Sequence, residues 1–146
     1  MSINLKESLA QLKMITDQLE AGEVLTNTNL DVLIAKGVRM RDGVLKWTQE
    51  NPELRENTIA SLTLTLADKS LAPEIVVVLA TVRAGLLWIS GDDESLKEGI
   101  DKVLSIDPDY SLALLMEIAI RHNVPSKVYE ASLDNVSLNA CLEGVG

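Results

Sequence analysis

Leu5, Leu9, Leu12, Ile15 and Leu19 follow one another at steps of four, three, three and four, the spacing of a single stripe on a 3.6-residue helix. Lys6, Glu7, Lys13, Asp17 and Glu20 fall largely off that stripe. The pattern predicts an amphipathic helix within residues 1–22, capped by Asn4 with Glu7 three residues on and ended by Gly22 in the left-handed conformation. Thr26-Asn27-Thr28-Asn29 supplies a cap for a short helix through Leu30, Leu33 and Ile34, which Gly37 closes. Val38, Met40 or Arg41, Val44, Leu45 and Trp47 give the apolar face of a helix running to about Gln49, where Asn51-Pro52 stops it.

The segment from Leu54 to about Asp68 carries two periods. Ser61-Leu62-Thr63-Leu64-Thr65-Leu66 alternates as a strand does, whereas Ile59, Leu62 and Leu66 fit a helix. A lone strand would leave its backbone groups unpaired, so helix is expected. Pro73 suits the first turn of a helix to about Ile89, with Glu74 near its positive end and Gly91 breaking it. Ile75 to Ser90 is the most apolar stretch, but Arg83 interrupts it and it is shorter than the roughly 20 residues a bilayer requires, so a buried central helix is expected. Asp92-Asp93-Glu94 opens a helix with Leu96, Ile100, Val103 and Leu104 on its apolar face. In the next, Asp107 caps, Pro108 fills the first turn, and Leu112, Leu115, Met116 and Ala119 turn inward as far as Asn123. Pro125 starts a helix through Val128, Tyr129 and Leu133, and a turn or helix over Leu138 to Leu142 ends the chain. The expectation is an all-α fold, an array of seven or eight short antiparallel helices in one domain over residues 1–146.

Two resemblances refine this. Gly91, Leu96, Ile100, Val103 and Pro108 have the spacing of the second helix of a tetratricopeptide repeat, although Leu96 stands where that repeat prefers alanine and one period on Glu117 and Arg121 replace apolar residues. Val38-Arg39-Met40-Arg41-Asp42-Gly43-Val44-Leu45, the helix end Leu87-Trp88-Ile89-Ser90-Gly91-Asp92, the run Asp107-Pro108-Asp109-Tyr110-Ser111-Leu112-Ala113 and Asn123-Val124-Pro125 resemble the C-terminal helical half of the actinobacterial domain-of-unknown-function family 4192. That likeness covers roughly residues 30–142, with the helix of residues 1–22 in place of the family's N-terminal half. It implies a repeat-like helical fold of actinobacterial or actinobacterial-virus origin, and no catalytic residue.

Composition narrows the function. The 146 residues include 24 leucines, and 22 acidic side chains against 13 basic ones give a net charge of −9. Duplex nucleic acid and anionic membranes both call for clustered positive charge, so neither is an expected partner. The edge formed by Lys36, Arg39, Arg41 and Lys46 is balanced by Asp42 and makes a weak nucleic-acid site; contact with an acidic stretch on another subunit is as plausible. Cys141 is the only cysteine and no secretory signal is evident, so a reducing cytoplasm is expected, and Asn135-Val136-Ser137 carries no weight as a glycosylation acceptor. One histidine, His122, and one cysteine give no zinc spacing, and no Walker lysine loop or glycine-rich strand-to-helix turn is present. The reading is therefore not an enzyme, with no cofactor and no metal. His122 suits a helix end and Cys141 a small buried apolar position.

The favoured function is a non-enzymatic helical protein-interaction module whose partner is another protein or a second copy of the chain. Its candidate surface is the stripe Leu5, Leu9, Leu12, Ile15 and Leu19, which could equally dock on its own domain. Arg83, a lone charge that must pair, snorkel or meet an acidic ligand, is a further candidate. So are Asp92, Asp93 and Glu94, whose plainer role is helix capping. The alternative is an acidic decoy that blocks a basic nucleic-acid-binding surface on another protein.

Overall fold

The computed structural model describes residues Ile3 to Gly144, and among them every regular element is helical. In chain order these are α1 (Ile3–Glu20), α2 (Asn27–Lys36), α3 (Val38–Glu50), a 3-10 turn (Pro52–Leu54), α4 (Arg55–Leu66), α5 (Pro73–Ser90), α6 (Asp93–Ile106), α7 (Ser111–Arg121), α8 (Ser126–Asp134) and α9 (Leu138–Glu143). The all-α expectation holds. Nine α-helices stand among the described residues where seven or eight were expected. The segment left between turn and helix is α9, started by the Ser137 hydroxyl accepting the Ala140 N–H at 3.0 Å.

Most helix ends follow their punctuation. At the end of α1 the Gly22 N–H reaches Leu19 O at 3.1 Å and the Glu23 N–H reaches Gln18 O at 3.0 Å, a pairing that needs the left-handed φ of +70° only glycine adopts cheaply. Asn57 Nδ2 from α4 donates to the terminal Glu20 carbonyl at 2.8 Å. Two caps differ from expectation. Asn4 lies inside α1, because the helix is already running at Ile3, so it does not cap it. Asp107 does not cap α7 either: its Oδ1 accepts the Asp109 N–H at 3.1 Å in a tight turn holding Pro108, and the helix begins only after Tyr110.

α5 is the axis of the fold. It packs against α6, α4, α3, α2, α8 and α7, and eleven of its 18 residues are buried. By length and composition it is apolar enough to cross a membrane; here its neighbours inside the domain cover it. One cluster of buried residues joins α1, α2 and α3 to α5, and a second joins α6 and α7 to it.

The stripe of α1 belongs to the first cluster. Leu5, Leu12, Ile15 and Leu19 are buried, Ile15 completely, and Leu9 is half-buried against the same core. Those five are accordingly structural side chains of their own domain, not a docking surface.

α4 buries a face that its apolar period does not mark. Thr58, Ser61, Leu62 and Thr65 face inward, while Ile59 and Leu66 are only half-buried and Leu64 is exposed. Hydrogen bonds make this tolerable: Thr58 Oγ1 donates to Leu54 O at 2.9 Å, Ser61 Oγ to Glu23 O, and Thr65 Oγ1 to Ser61 O at 2.8 Å. Thr65 Oγ1 also accepts the Leu25 N–H at 3.0 Å, so Thr65→Val strands a buried donor at a cost of about 1–3 kcal/mol. Urea unfolding checks this, and Thr65→Ser is expected to recover most of the loss.

α7 departs from expectation for a plainer reason. It packs on α6 and α5 from one side, so Ala113 and Met116 are buried, Leu112 and Ala119 are half-buried, and Leu115 is 64% exposed. On α8, Leu133 is buried, Tyr129 is half-buried and Val128 lies outside.

Candidate interaction groove

A single residue, Gly37, separates α2 from α3, and its φ of 56° with ψ of −128° is backbone that side-chain-bearing residues avoid. The sharp corner sets Ile34 at the end of α2 beside Val38 at the start of α3. Both overhang the first turn of α5, and from the other side Ile106 at the end of α6 approaches the same place. The result is a groove of about 420 Å³, floored by the buried Leu33, Val77 and Val78 and walled by Ile34, Val38 and Ile106. Those three side chains are 45%, 53% and 37% exposed, so aliphatic surface lies open on both walls of one concavity. Pro73, Glu74, Asp107 and Tyr110 complete the lining. Its charged rim is Glu74 and Asp107, with no Lys or Arg.

Tyr110 is held from behind. Arg41 Nη1 donates to its hydroxyl at 3.1 Å, with the guanidinium carbon 5.6 Å from the ring centroid, while Nε and Nη2 bond Asp42 Oδ1 at 3.0 and 2.8 Å. Burial works against the Arg41 charge, but the Tyr110 hydrogen bond and the Asp42 carboxylate outweigh it and hold the guanidinium above its ordinary pKa. This corrects the basic edge. Arg41 and Lys46 are buried and used internally, Lys46 Nζ donating to Leu133 O near the negative end of α8 at 3.0 Å.

The acidic candidates lie elsewhere. Asp92, Asp93 and Glu94 are exposed at the start of α6, and Asp92 Oδ1 accepts the Ser95 N–H at 3.1 Å as its cap. Arg83 is half-buried between α4 and α6, with Nε donating to Thr63 Oγ1 at 2.8 Å. The structure therefore does not bring the leucine stripe, Arg83 and the acidic trio together. A second cleft of about 370 Å³ between α6 and α7 presents Lys97 and Arg121 beside Asp101 and Glu117, a mixture with no net electrostatic preference.

The groove residues Ile34, Val38, Ile106 and Tyr110 are not marked as such in the sequence, because their types do not distinguish an exposed wall from core. Gly37 between two apolar turns was the available signal. His122 is exposed after the last turn of α7. Cys141 is half-buried, and burial together with the Asp42 charge pushes its thiol up, away from the nucleophilic thiolate. Among the described residues no group of three or more His, Cys, Asp or Glu is placed to hold a metal ion.

Tyr129 stacks on Trp88 with ring centroids 5.4 Å apart, and its buried hydroxyl has no hydrogen-bond partner among the described residues. Burial, reinforced by Asp42, pushes the phenol far above the usual tyrosine range. As pH rises past about 10 the unfolded chain releases that proton while the fold retains it, so the stability present below that pH is lost above it. The Tyr129 phenolate absorbance is expected only with alkaline unfolding, and Tyr129→Phe should remain folded to higher pH.

Comparison with known proteins found no match to a family model, a curated protein or a solved structure.

Proposed function

We propose that this protein is a non-enzymatic helical interaction module. Its groove between the α2–α3 corner, the start of α5 and the end of α6 takes a segment of a partner protein that presents aliphatic side chains beside Lys or Arg. The carrying observation is the convergence of exposed Ile34, Val38 and Ile106 over an apolar floor whose rim is acidic. Burying those side chains supplies affinity, and Glu74 and Asp107 favour a cationic neighbour. The net charge of −9 repels a second copy and attracts a basic partner. On this reading the protein works in a reducing cytoplasm without direct contact to nucleic acid or membrane. Residues 30–142 are related to the helical half of domain-of-unknown-function family 4192, and α5–α6 is a tetratricopeptide-like helix pair.

The test is capture from a lysate of the source organism on the native chain and on Val38→Asp. Support is a protein retained by the first and lost by the second, whose bound segment carries aliphatic residues flanked by Lys or Arg. A captured set unchanged by the substitution, or no specific capture, overturns it. The acidic-decoy reading draws on exposed Asp93, Glu94, Glu98 and Asp101 of α6. Lys97 and Lys102 interrupt that face, which leaves it second.

A further inference from the structure

We propose that the bay around Arg83, which α4 and α6 flank over the middle of α5, binds an aliphatic monocarboxylate, either a free short acid or the last residue of a peptide. Arg83 is the only ionisable residue between Glu74 and Asp92. Its Nε is engaged by Thr63, and its two Nη groups reach no acceptor among the described residues. Neither Arg83 nor Lys102, which lines the same bay, takes part in an ion pair among those residues. The bay has a volume of about 310 Å³, and Leu66, Ala80 and Gly99 give it an apolar wall. At Gly99 of α6 a Cβ would meet Ala84 Cβ of α5 at 3.8 Å and the Ala80 carbonyl oxygen at 3.9 Å, ordinary contact distances.

The chemistry selects the ligand. A guanidinium with its Nη edge open matches the two oxygens of a carboxylate as a fork, which an ammonium cannot do. Arg83 and Lys102 against Glu98 leave one net positive charge, suited to a monoanion, while Glu98 and the chain's net charge of −9 repel a phosphate dianion. The small apolar wall has room for a short aliphatic body beside the charge.

The full-length ¹⁵N-labelled chain, followed at its arginine Nε–Hε resonances, is titrated with N-acetylvaline and with N-acetylvalinamide. The expected result is a saturable shift of the Arg83 resonance by the acid, with the amide weaker by about tenfold or more. Lys102→Gln, a variant on the exposed surface that keeps the reporting resonance, should weaken the acid, as should Arg83→Gln followed at the backbone amides of Gly99 and Lys102, while Glu98→Gln should tighten it about twofold or more. A peptide ending in valine that binds more tightly than N-acetylvaline identifies a chain terminus as the ligand; equal binding identifies the free acid. Equal shifts from acid and amide, a response shared by all the arginines, or tighter binding of inorganic phosphate would each overturn the proposal.

Discussion

Deleting residues 1–22 should leave a chain that no longer folds cooperatively. α1 contributes four buried large side chains, Leu5, Leu12, Ile15 and Leu19, to the cluster that also holds Leu33, Met40, Leu45 and Leu79. At about 1.5–3 kcal/mol for each fully buried aliphatic side chain, that burial is on the order of 6–12 kcal/mol. Whole domains retain a net stability of only about 5–15 kcal/mol. The deletion also strips the partners of Asn29, whose Nδ2 donates to Gln18 Oε1 at 2.6 Å and to Met14 O at 3.2 Å. Ile15→Asp makes the same point with one residue, since it places an unpaired carboxylate where nothing is exposed. Circular dichroism and thermal melting check both. A remainder that melts cooperatively and changes its association state would make α1 an association element.

Val38→Asp should lower the affinity for a groove partner by about tenfold or more while leaving stability within about 0.5 kcal/mol. Val38 is 53% exposed and opens α3, where a carboxylate is favourable to the helix dipole, so lost binding cannot be charged to lost folding. Ile106→Asp should behave alike from the opposite wall. Salt separates this from a charge-driven decoy. Affinity resting mainly on aliphatic burial falls only a few-fold between low and high ionic strength, whereas a contact made by many paired charges falls by about 10³ or more. Equal affinity of the native chain and Val38→Asp would place the interface elsewhere.

Period and punctuation made most of the helices legible. Gly22, Thr26, Gly37, Asn51-Pro52, Pro73, Gly91 and Asp92 each mark an element boundary through local chemistry that tertiary structure did not override. What escaped was set by packing between distant segments. The inward face of α4 is polar because its hydroxyls bond carbonyls of their own helix, of the 3-10 turn before it and of the α1–α2 connection, which no apolar period records. By type and spacing Leu115 belongs to a core, yet α7 is covered on one side only. Arg41 and Lys46 looked like a surface edge, and only the fold brings Tyr110 and the Leu133 carbonyl within their reach. The groove escaped for the same reason, since Ile34 and Ile106 meet only once α5 and α6 are in place.

The most direct measurement is a methyl NMR titration of the intact chain with the segment of its captured partner. The account predicts the largest shifts at the methyl groups of Ile34, Val38 and Ile106, with Leu12, Ile15 and Leu19 undisturbed. Shifts centred on α1, or confined to the acidic start of α6, would contradict it.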